Sequence, residues 1–365
     1  MPHKVNIRDL EDILEAILVA DGCRDDEAQI VAEHLVEANL CGHDSHGVVR
    51  IGRYHEWLNN GKLVANSRLT PLMQTDTFAH FDGNCGMGQW LAKETTSLGI
   101  QMAKTKGSGI VAMKRAGHVG RVGRYAEQAC REGIISIHIV NVAGSRLVAP
   151  FGSSQRALST APIAIGVPNT EGDDFILDFA TSLVAEGKAL VSARGGAPLP
   201  NDALITEDGH LSGNPEVLYG ESLNSKVPNP RVGSGALRTM GEHKGSGLAM
   251  ACELIAGALT GAGANGPTDH TFGNGMLSIF INPEYFGDQQ GFIAEVAQYI
   301  DYVQQSTPAQ GIDKVLIPGD KERMLSSKYR KNGITLPNGV VEDILSIASA
   351  LNIDTNYFSE SMNLV

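Results

Sequence analysis

The segment HDSHGVVRIGRY, residues 43–54, concentrates titratable side chains between two stretches with helical periodicity. If a helix begins at Gly47, His46 lies immediately before its N-terminus. Arg50 and Tyr54 then follow at four-residue steps, which places all three side chains on one face. An imidazole can transfer protons near neutral pH, and a guanidinium can hold a carboxylate in bidentate geometry. The pattern predicts a site for a 2-oxo or 2-hydroxy acid, with a solvated polar helix face as the plainer interpretation.

A second segment, GHVGRVGRYAEQ at residues 117–128, follows a predicted strand and opens a predicted helix. The free backbone N–H groups of such a turn favour an anionic group such as a phosphate or a carboxylate. His118 would face the same opening, which makes it a second possible proton donor. An ordinary glycine-rich turn with a surface histidine explains the segment equally well.

Three further segments invite a functional interpretation. In EHKGSGLAMACELIAGAL, residues 242–259, Lys244 lies at a predicted helix N-terminus, where the helix dipole disfavours a cation. This position indicates an anionic ligand, with an exposed, solvated lysine as the plainer interpretation. In LIPGDKERM, residues 316–324, Asp320 is the expected helix cap. GAGANG, residues 261–266, fits G-x-G-x-x-G but follows a helix instead of a strand. This favours a C-terminal cap and loop over a dinucleotide-binding turn.

The sequence disfavours both a metal site and a catalytic thiol. His43, Asp44, His46 and His55 could supply ligands. A structural zinc site needs four N/S ligands and a catalytic one needs three plus water, and the sequence offers no second cluster beyond the isolated His118 and His243. The five cysteines are widely spaced and include no C-x-x-C pair, which favours reduced, structural thiols.

Composition limits the class of protein. The chain has 365 residues, 42% of them hydrophobic and 19% charged, as in globular proteins of one or two domains. The formal net charge of −12 and the lack of a Lys/Arg cluster argue against a nucleic-acid partner. No stretch reaches the roughly 18 apolar residues of a membrane span, and the first residues do not resemble a signal peptide. No membrane partner and a cytoplasmic location are therefore expected.

Hydrophobic periodicity predicts a mixed α/β fold with helices at both chain ends. Spacings of three and four residues predict helices before and after Gly22, around residues 292–303 and around 341–348. Short β-rich runs between these ends predict strands at 78–83, 109–114, 134–142, 161–168, 174–180 and 276–282, with helices at 88–105, 120–132 and 242–259. We therefore predict one helical domain from residues 1–74 and 287–365 and a sheet domain from residues 75–286.

Seven segments follow one another over nearly the whole chain: GHDSHGVVRIGRY, GHVGRVGRYAEQACREGIISI, VAPFG, LDFATS, GEHKGSGLAMACELIAGALTG, INPEYFG and LIPGDKE. Together they resemble the NAD(P)-dependent malate/L-lactate dehydrogenases of the second, non-Rossmann type, a family that includes L-sulfolactate and ureidoglycolate dehydrogenases. The resemblance implies hydride transfer between NAD or NADP and C2 of a small 2-hydroxy or 2-oxo acid. It further implies an α+β fold whose largely antiparallel or mixed sheet binds the cofactor, and a homodimer or higher homo-oligomer.

The resemblance also implies roles for individual residues. His46 matches the family's acid/base histidine, and Arg50 matches its carboxylate-binding arginine. Tyr54 lines the same pocket, and His118 is the other possible proton donor. Positions that match cofactor-contacting segments, together with His46, are Gly120, Arg121, Val122, Asp178, Phe179, Ala180, Thr181, Ser182, His243, Lys244, Gly319, Asp320 and Lys321.

Two details qualify this assignment. Asp178 would in addition orient a histidine, as a buried carboxylate commonly does. Many family members read Thr-Asn-Pro where this chain has Thr160-Ala161-Pro162, so one side-chain amide is missing near the sheet.

Three other functions fit parts of the pattern. A cyclic imino-acid (ketimine) reductase would use the same fold and cofactor but protonate a nitrogen. A metal-dependent hydrolase or lyase would require bound metal. A cofactor-binding protein without catalysis would bind NAD(P)H and turn over no 2-oxo acid. The choice between NAD and NADP and the size of the substrate side chain stay open.

Overall fold

The computed structural model describes residues 3–193, 197–224, 229–266, 272–356 and 358. Within these ranges the α-helices are α1 (Ile7–Ala20), α2 (Asp25–Leu40), α3 (Ile51–Asn59), α4 (Gly88–Lys106), α5 (Gly123–Cys130), α6 (Glu186–Ala193), α7 (Glu216–Tyr219), α8 (His243–Cys252), α9 (Gln289–Gln304), α10 (Asp320–Asn332) and α11 (Asn338–Ala350). None of the described helices is both long and apolar enough to cross a lipid bilayer.

The strands in the same ranges are β1 (His3–Val5), β2 (Thr70–Gln74), β3 (Phe78–Asp82), β4 (Ser108–Ala116), β5 (Ile135–Ala143), β6 (Pro162–Val167), β7 (Phe175–Ala180), β8 (Leu204–Ile205), β9 (Leu211–Ser212), β10 (Ala236–Leu237), β11 (Gly273–Ile281) and β12 (Ile334–Leu336). Short 3-10 helices occupy Asp44–His46, Val48–Arg50, Gly220–Asn224 and Pro283–Phe286, and a π-helical segment, Glu253–Leu259, continues α8.

The N-terminal helices form a core together with the C-terminal end of the chain. The Asn6 side chain caps α1 by accepting from the Arg8 backbone N–H at 2.8 Å, and the helix buries one apolar stripe from Leu10 to Leu18. This stripe packs in one cluster with α2, α3 and α11. β1 pairs antiparallel with β12, so the two ends of the chain meet. The domain boundaries at residues 74 and 286 remain a prediction.

The central sheet has seven strands in the order β2-β3-β4-β11-β5-β6-β7. β3 and β4 pair in parallel and are connected through α4, whereas the other neighbours pair antiparallel. This order confirms the predicted mixed, largely antiparallel sheet and differs from the parallel sheet of a doubly wound dinucleotide fold.

The two faces of the sheet carry different layers. Val140 on β5 packs in the cluster of α4 and α5, while the next residue, Asn141, donates from Nδ2 to the Gly263 carbonyl oxygen at 2.8 Å. Successive strand residues point to opposite faces, so the turn after the π-helical segment covers the face opposite α5. Residues 261–266 form this turn, with positive φ at Gly261 and Gly263, which agrees with the rejection of GAGANG as a dinucleotide-binding turn.

Two local predictions are wrong. The stretch 242–259 is not one regular α-helix, because α8 changes into the π-helical segment at Glu253. The buried Glu253 carboxylate accepts hydrogen bonds from the Ser159 hydroxyl and the Asn265 backbone N–H there. Asp320 is not the cap that precedes α10; it is the first residue of that helix, and Gly319 precedes it with a φ of 98°.

Gly99 tests how tightly α4 packs on the sheet. A Cβ atom at Gly99 would overlap the ring of Phe280 on β11, whereas one at Gly247 on α8 would meet no atom within 4 Å. We expect Gly99→Ala to lower the free energy of unfolding by about 1–3 kcal/mol, because the ring must move in a packed core. The matched control Gly247→Ala should raise it by about 0.5–1 kcal/mol. Urea denaturation of both variants measures the difference, and equal effects would contradict the packing described here.

Candidate active site

One buried amide organises the connection between α2 and α3. The side-chain oxygen of Asn39 accepts from the Val48 backbone N–H at 2.8 Å, and Asn39 Nδ2 donates to Asp44 Oδ1 at 2.6 Å. Gly47 lies so close to this amide that a Cβ atom there would overlap it. The connection is therefore a tight turn that requires glycine at position 47.

This turn replaces the helix that the sequence predicts. α3 begins at Ile51 and follows two 3-10 helices, so the prediction of a helix from Gly47 is wrong. Gly47 has extended backbone angles, φ −88° and ψ −155°, which interrupt any helix there. His46, Arg50 and Tyr54 consequently do not share one regular α-helical face. All three nevertheless line the same cavity.

Hydrogen bonds and ring stacking connect the side chains at the inner end of this cavity. Gln89 Nε2, in the first turn of α4, donates to the Tyr54 hydroxyl oxygen at 2.7 Å, and this oxygen lies 2.6 Å from His118 Nδ1. The His118 ring stacks on the His46 ring, with 5.4 Å between centroids and 19° between planes. The Ser45 hydroxyl oxygen lies 2.8 Å from His46 Nδ1.

These contacts indicate which ring nitrogen of each histidine is available. With the Tyr54 oxygen accepting from Gln89, the Tyr54 hydroxyl can donate to His118 Nδ1, which would leave the proton of neutral His118 on Nε2. The Ser45 hydroxyl can donate or accept, so His46 Nε2 can either hold or take a proton. The arrangement suits His46 for proton transfer and His118 for hydrogen-bond donation to a ligand.

The surroundings of both imidazoles favour their neutral form. Burial lowers the pKa of His46 well below its usual value of 6.5, and the charges of His118 and Arg50 lower it further. Burial also lowers the pKa of His118 to about 3, again with a contribution from Arg50. An apolar environment and a neighbouring cation both destabilise an imidazolium ion. An anion bound beside Arg50 would offset that cation and raise both pKa values.

Arg50 is held between its own turn and α6. Its Nε donates to the Ser45 carbonyl oxygen, and its Nη2 lies 3.3 Å from Oε2 of Glu186, the first residue of α6. The Tyr219 hydroxyl donates to the other oxygen of Glu186, Oε1, at 2.9 Å. A Cβ atom at Gly187 would overlap Ser45, so α6 packs directly against the turn. The guanidinium is thereby oriented at the cavity wall before any ligand binds.

The cavity joins most of the positions that the sequence singled out. Its volume is about 870 Å³, which is in the range of cofactor and small-molecule sites. One part of the lining consists of His46, Arg50, Tyr54 and His118. Another part consists of the predicted cofactor positions Gly120, Arg121, Val122, Asp178, Phe179, Ala180, Ser182 and Lys321.

Other predicted cofactor positions lie outside this lining, and their roles stay predictions: Thr181, His243, Lys244, Gly319 and Asp320. The buried Thr181 hydroxyl donates to the Thr160 carbonyl oxygen at 3.2 Å. One carboxylate oxygen of Asp320 accepts from the Ile317 backbone N–H at 3.0 Å, and the other pairs with Arg323 at 2.7 Å. Asp320 therefore stabilises the loop before α10 through its side chain.

Two lining residues have side chains with structural partners. The guanidinium of Arg121 is fully buried and pairs through Nη2 with Glu37 at 2.6 Å and Glu127 at 2.7 Å, and its role towards a cofactor stays a prediction. Asp178 Oδ2 accepts from the Gly123 backbone N–H at 2.8 Å, at the start of α5. No histidine of the described residues hydrogen-bonds to Asp178, so the predicted histidine-orienting role is wrong.

Gln89 and Glu186 are site residues that the sequence analysis missed. Neither lies in a segment with an evident chemical pattern, and each is far along the chain from residues 43–54. Their contacts with Tyr54 and Arg50 depend on how α4 and α6 pack against the turn before α3. Tertiary packing, which periodicity does not report, creates both contacts.

The histidines near residue 46 form pairs with carboxylates. His43 Nε2 lies 3.2 Å from Glu322 Oε1, and His55 Nδ1 lies 2.9 Å from Asp21 Oδ2. In the part of the chain that the structure describes, no group of three or more His, Cys, Asp or Glu side chains could hold a metal ion.

Ala161, the departure from the family pattern, is fully buried just before β6. Its backbone has a positive φ of 24°, a region in which asparagine is more frequent than alanine. The Ala161 side chain packs in a small cluster with Ile163 and Cys252. Alanine at position 161, instead of asparagine, therefore puts a methyl group in an apolar environment, with a backbone angle that is unusual for alanine.

Comparison with known proteins supports the resemblance to malate/L-lactate dehydrogenases. The model of the malate/L-lactate dehydrogenase family matches residues 5–345. Hydroxycarboxylate dehydrogenase B of Escherichia coli K12 is 33% identical over 360 residues, which cover 96% of this chain and 95% of that protein.

Solved structures show the same fold. A malate/lactate dehydrogenase structure from E. coli superposes with a TM-score of 0.89 at 31% identity and covers 99% of both chains. Delta1-piperideine-2-carboxylate reductase from Pseudomonas syringae pv. tomato superposes with a TM-score of 0.79 at 27% identity and covers 94% of this chain and 99% of that one. The family match spans nearly the whole chain, and this protein belongs to the malate/L-lactate dehydrogenase family.

Proposed function

We propose that this protein catalyses the nicotinamide-dependent interconversion of a small 2-oxo acid and the corresponding 2-hydroxy acid. One observation carries the proposal: the stacked rings of His46 and His118 lie in the same cavity as the Arg50 guanidinium. A proton-transfer group and a carboxylate-binding group in one enclosed space are what this reaction requires. Membership of a dehydrogenase family supports an oxidoreductase that acts on hydroxy acids.

The cavity suits a nicotinamide cofactor, either NAD or NADP. Val140, Val142 and Phe179 supply apolar surface for a flat ring, and the Gly120 turn borders the same space. Gly120 has a φ of 75°, and a Cβ atom there would overlap His34, so only glycine fits this turn. When bound, the cofactor would supply or accept the hydride at C2 of the substrate.

The protein's own groups would bind the acid and move one proton. Arg50 would hold the carboxylate next to C2, and His118 Nε2–H would donate a hydrogen bond to the oxygen on C2. In reduction, protonated His46 gives its proton to that oxygen and becomes neutral. In oxidation, neutral His46 takes the hydroxyl proton. General acid–base catalysis of this kind contributes about 10²- to 10⁴-fold in rate.

A cyclic imino-acid reductase is the second candidate function. The structural similarity to a protein named delta1-piperideine-2-carboxylate reductase favours it. Arg50 would again hold a carboxylate, and His46 would protonate a ring nitrogen instead of an oxygen. Cyclic imino acids therefore belong in the substrate panel.

We also propose a homodimer or higher homo-oligomer, a cytoplasmic location and the two-domain division given above. Exposed apolar side chains on α8 and the π-helical segment support self-association: Met250 is 51% exposed, Leu254 61% and Leu259 71%. Large exposed apolar patches commonly mark protein interfaces.

The proposed function predicts turnover that depends on His46. Wild-type protein should oxidise NADH or NADPH with at least one member of a panel of 2-oxo acids and cyclic imino acids. His46→Asn should lower kcat and kcat/KM by about 10²- to 10⁴-fold, because the proton-transfer group is lost. The control His55→Asn, on α3 but paired with Asp21, should retain wild-type rates. Unchanged kcat in His46→Asn would refute the assignment, and cofactor binding without turnover would indicate a non-catalytic protein.

The lowered histidine pKa values predict an unusual pH dependence. Oxidation needs neutral His46, so its kcat/KM should stay nearly constant between about pH 6 and pH 8. Reduction needs the imidazolium, whose fraction falls about tenfold per pH unit above the pKa of free His46. The kcat/KM for reduction should therefore fall about tenfold per unit over the same range. Steady-state kinetics in both directions tests this, and an acid limb for oxidation near pH 6.5 would contradict it.

The contacts from Gln89 to Tyr54 and from Tyr54 to His118 predict a role for Gln89. Gln89→Leu removes the donor that directs the Tyr54 proton to His118 Nδ1. We expect kcat to fall about 10- to 100-fold with little change in KM, because Arg50 still binds the substrate. The control Gln128→Leu removes a side chain of α5 that donates to Ser97, and it should leave kcat unchanged. A wild-type kcat in Gln89→Leu would show that the Tyr54 contact does not set the function of His118.

A further inference from the structure

Side chains from three elements hold the backbone of the turn between β4 and α5. This turn carries His118 and Gly120, which both line the cavity. Asn274 Oδ1 accepts from the Val119 backbone N–H at 2.9 Å, and the Tyr125 hydroxyl donates to the Val119 carbonyl oxygen at 2.5 Å. Val119, Asn274 and Tyr125 are all buried, so water does not compete with these hydrogen bonds. The residue after His118 is therefore fixed at both of its backbone polar groups.

His34, on α2, holds the second half of the turn. Its Nε2 accepts from the Arg121 backbone N–H at 2.9 Å, and a Cβ atom at Gly120 would overlap the same ring. A ring nitrogen accepts a hydrogen bond only when it carries no proton. Burial lowers the pKa of His34 well below its usual value of 6.5, and the charges of Arg124 and Arg121 lower it further. The neutral ring can therefore present Nε2 as the acceptor.

The position of Asn274 depends on an irregularity in β11. The register of β11 against β4 shifts between Asn274 and Met276. A bulge of this kind redirects a side chain, and such bulges often lie beside active sites. Asn274 Nδ2 donates to the Asn141 carbonyl oxygen on β5 at 2.9 Å. Because the Val119 N–H can only donate and that carbonyl can only accept, the Asn274 amide has one orientation.

The turn joins two parts of the cavity lining. His118 stacks on His46, in the part that would bind the acid, and Gly120 belongs to the part that would bind the cofactor. The hydrogen bonds at Val119 constrain the first part, and the contacts with His34 constrain the second. The two constraints come from different elements, β11 and α2, so they can be removed one at a time.

We propose that Asn274 and His34 are positioning residues with separate tasks: Asn274 fixes the imidazole of His118, and His34 fixes the Gly120 turn against which the cofactor binds. The inference rests on the proposed function, because His118 is taken to contact the substrate oxygen. Each side chain acts through the backbone of the turn. A displacement of about 1 Å at a reacting group can cost about 10²-fold in rate, so both tasks have measurable consequences.

Two leucine variants separate these tasks. Asn274→Leu has nearly the same volume but cannot accept from Val119. We expect kcat with the best substrate of the panel to fall about 10- to 100-fold, while the KM for NADH or NADPH changes less than about twofold. His34→Leu should raise that KM about tenfold or more and change kcat at saturating cofactor less than about threefold. His34→Gln should restore the cofactor KM, because its amide oxygen can accept from the Arg121 N–H.

Two further readouts need no turnover. Fluorescence titration with NADH or NADPH should show weaker binding to His34→Leu and wild-type binding to Asn274→Leu. The ring ¹⁵N signals of His118 should shift in Asn274→Leu. The control His80→Leu removes a contact with the Thr260 carbonyl oxygen at 2.9 Å, outside the cavity lining, and should leave kcat and both readouts unchanged.

A lower Tm with wild-type kcat and KM in both leucine variants would make these contacts purely structural and overturn the proposal. Equal effects of the two variants on kcat and on the cofactor KM would also overturn it, and so would a His34→Gln variant that behaves like His34→Leu. If a leucine variant does not fold, Tyr125→Phe and His34→Asn test the same contacts. Phenylalanine lacks the hydroxyl, and asparagine is too short to reach the Arg121 N–H.

These measurements separate the positioning tasks from the proposed function. If wild-type protein reduces no member of the panel but His34→Leu still binds NADH or NADPH more weakly, the dehydrogenase function fails and the task of His34 stands. If wild-type turnover depends on His46 but both leucine variants keep wild-type kcat and KM, the positioning tasks fail and the dehydrogenase function stands.

Discussion

The site depends on the hydrogen bonds that the Asn39 amide makes on either side of Gly47. They fix the short turn that carries both His46 and Arg50. A buried amide that loses its partners costs about 1–3 kcal/mol, so the turn has few alternatives once α2 has formed. The imidazole and the guanidinium are therefore held in one geometry before any ligand arrives. Such preorganisation reduces the entropy that substrate binding must later remove.

Arg50 links anion binding to protonation. Its charge and the burial of His46 both keep the pKa of that imidazole low in the free protein. In the proposed function, an acid anion at Arg50 would offset the positive charge, so substrate binding would also make His46 easier to protonate. Reduction of a 2-oxo acid consumes one proton. The cavity would thus take up that proton together with the anion, and Arg50 would contribute to proton transfer at the neighbouring His46.

Local patterns in the sequence were sufficient for much of the fold but not for the geometry of the site. The apolar stripe of α1 follows helical spacing and β5 is a short run rich in β-branched residues, so local patterns predicted both elements. The turn at Gly47 depends on an amide eight residues away, and the position of Arg50 depends on Glu186, 136 residues away. Residue types and spacing singled out His46 and Arg50, and the family resemblance gave them roles. Neither could supply Gln89, whose contact with Tyr54 arises only when α4 packs beside that side chain.

Arg121 shows why a shared motif identifies a position but not the task of its side chain. It lies in the glycine-rich turn that resembles a cofactor-contacting segment, yet its guanidinium joins Glu37 of α2 to Glu127 of α5. Loss of one partner from a buried ion pair typically costs 3–5 kcal/mol. Arg121 thus holds the N-terminal helices against the helix that covers the sheet. His46 follows α2 and His118 precedes α5, so we expect the same ion pairs to help hold the two imidazoles at their stacking distance.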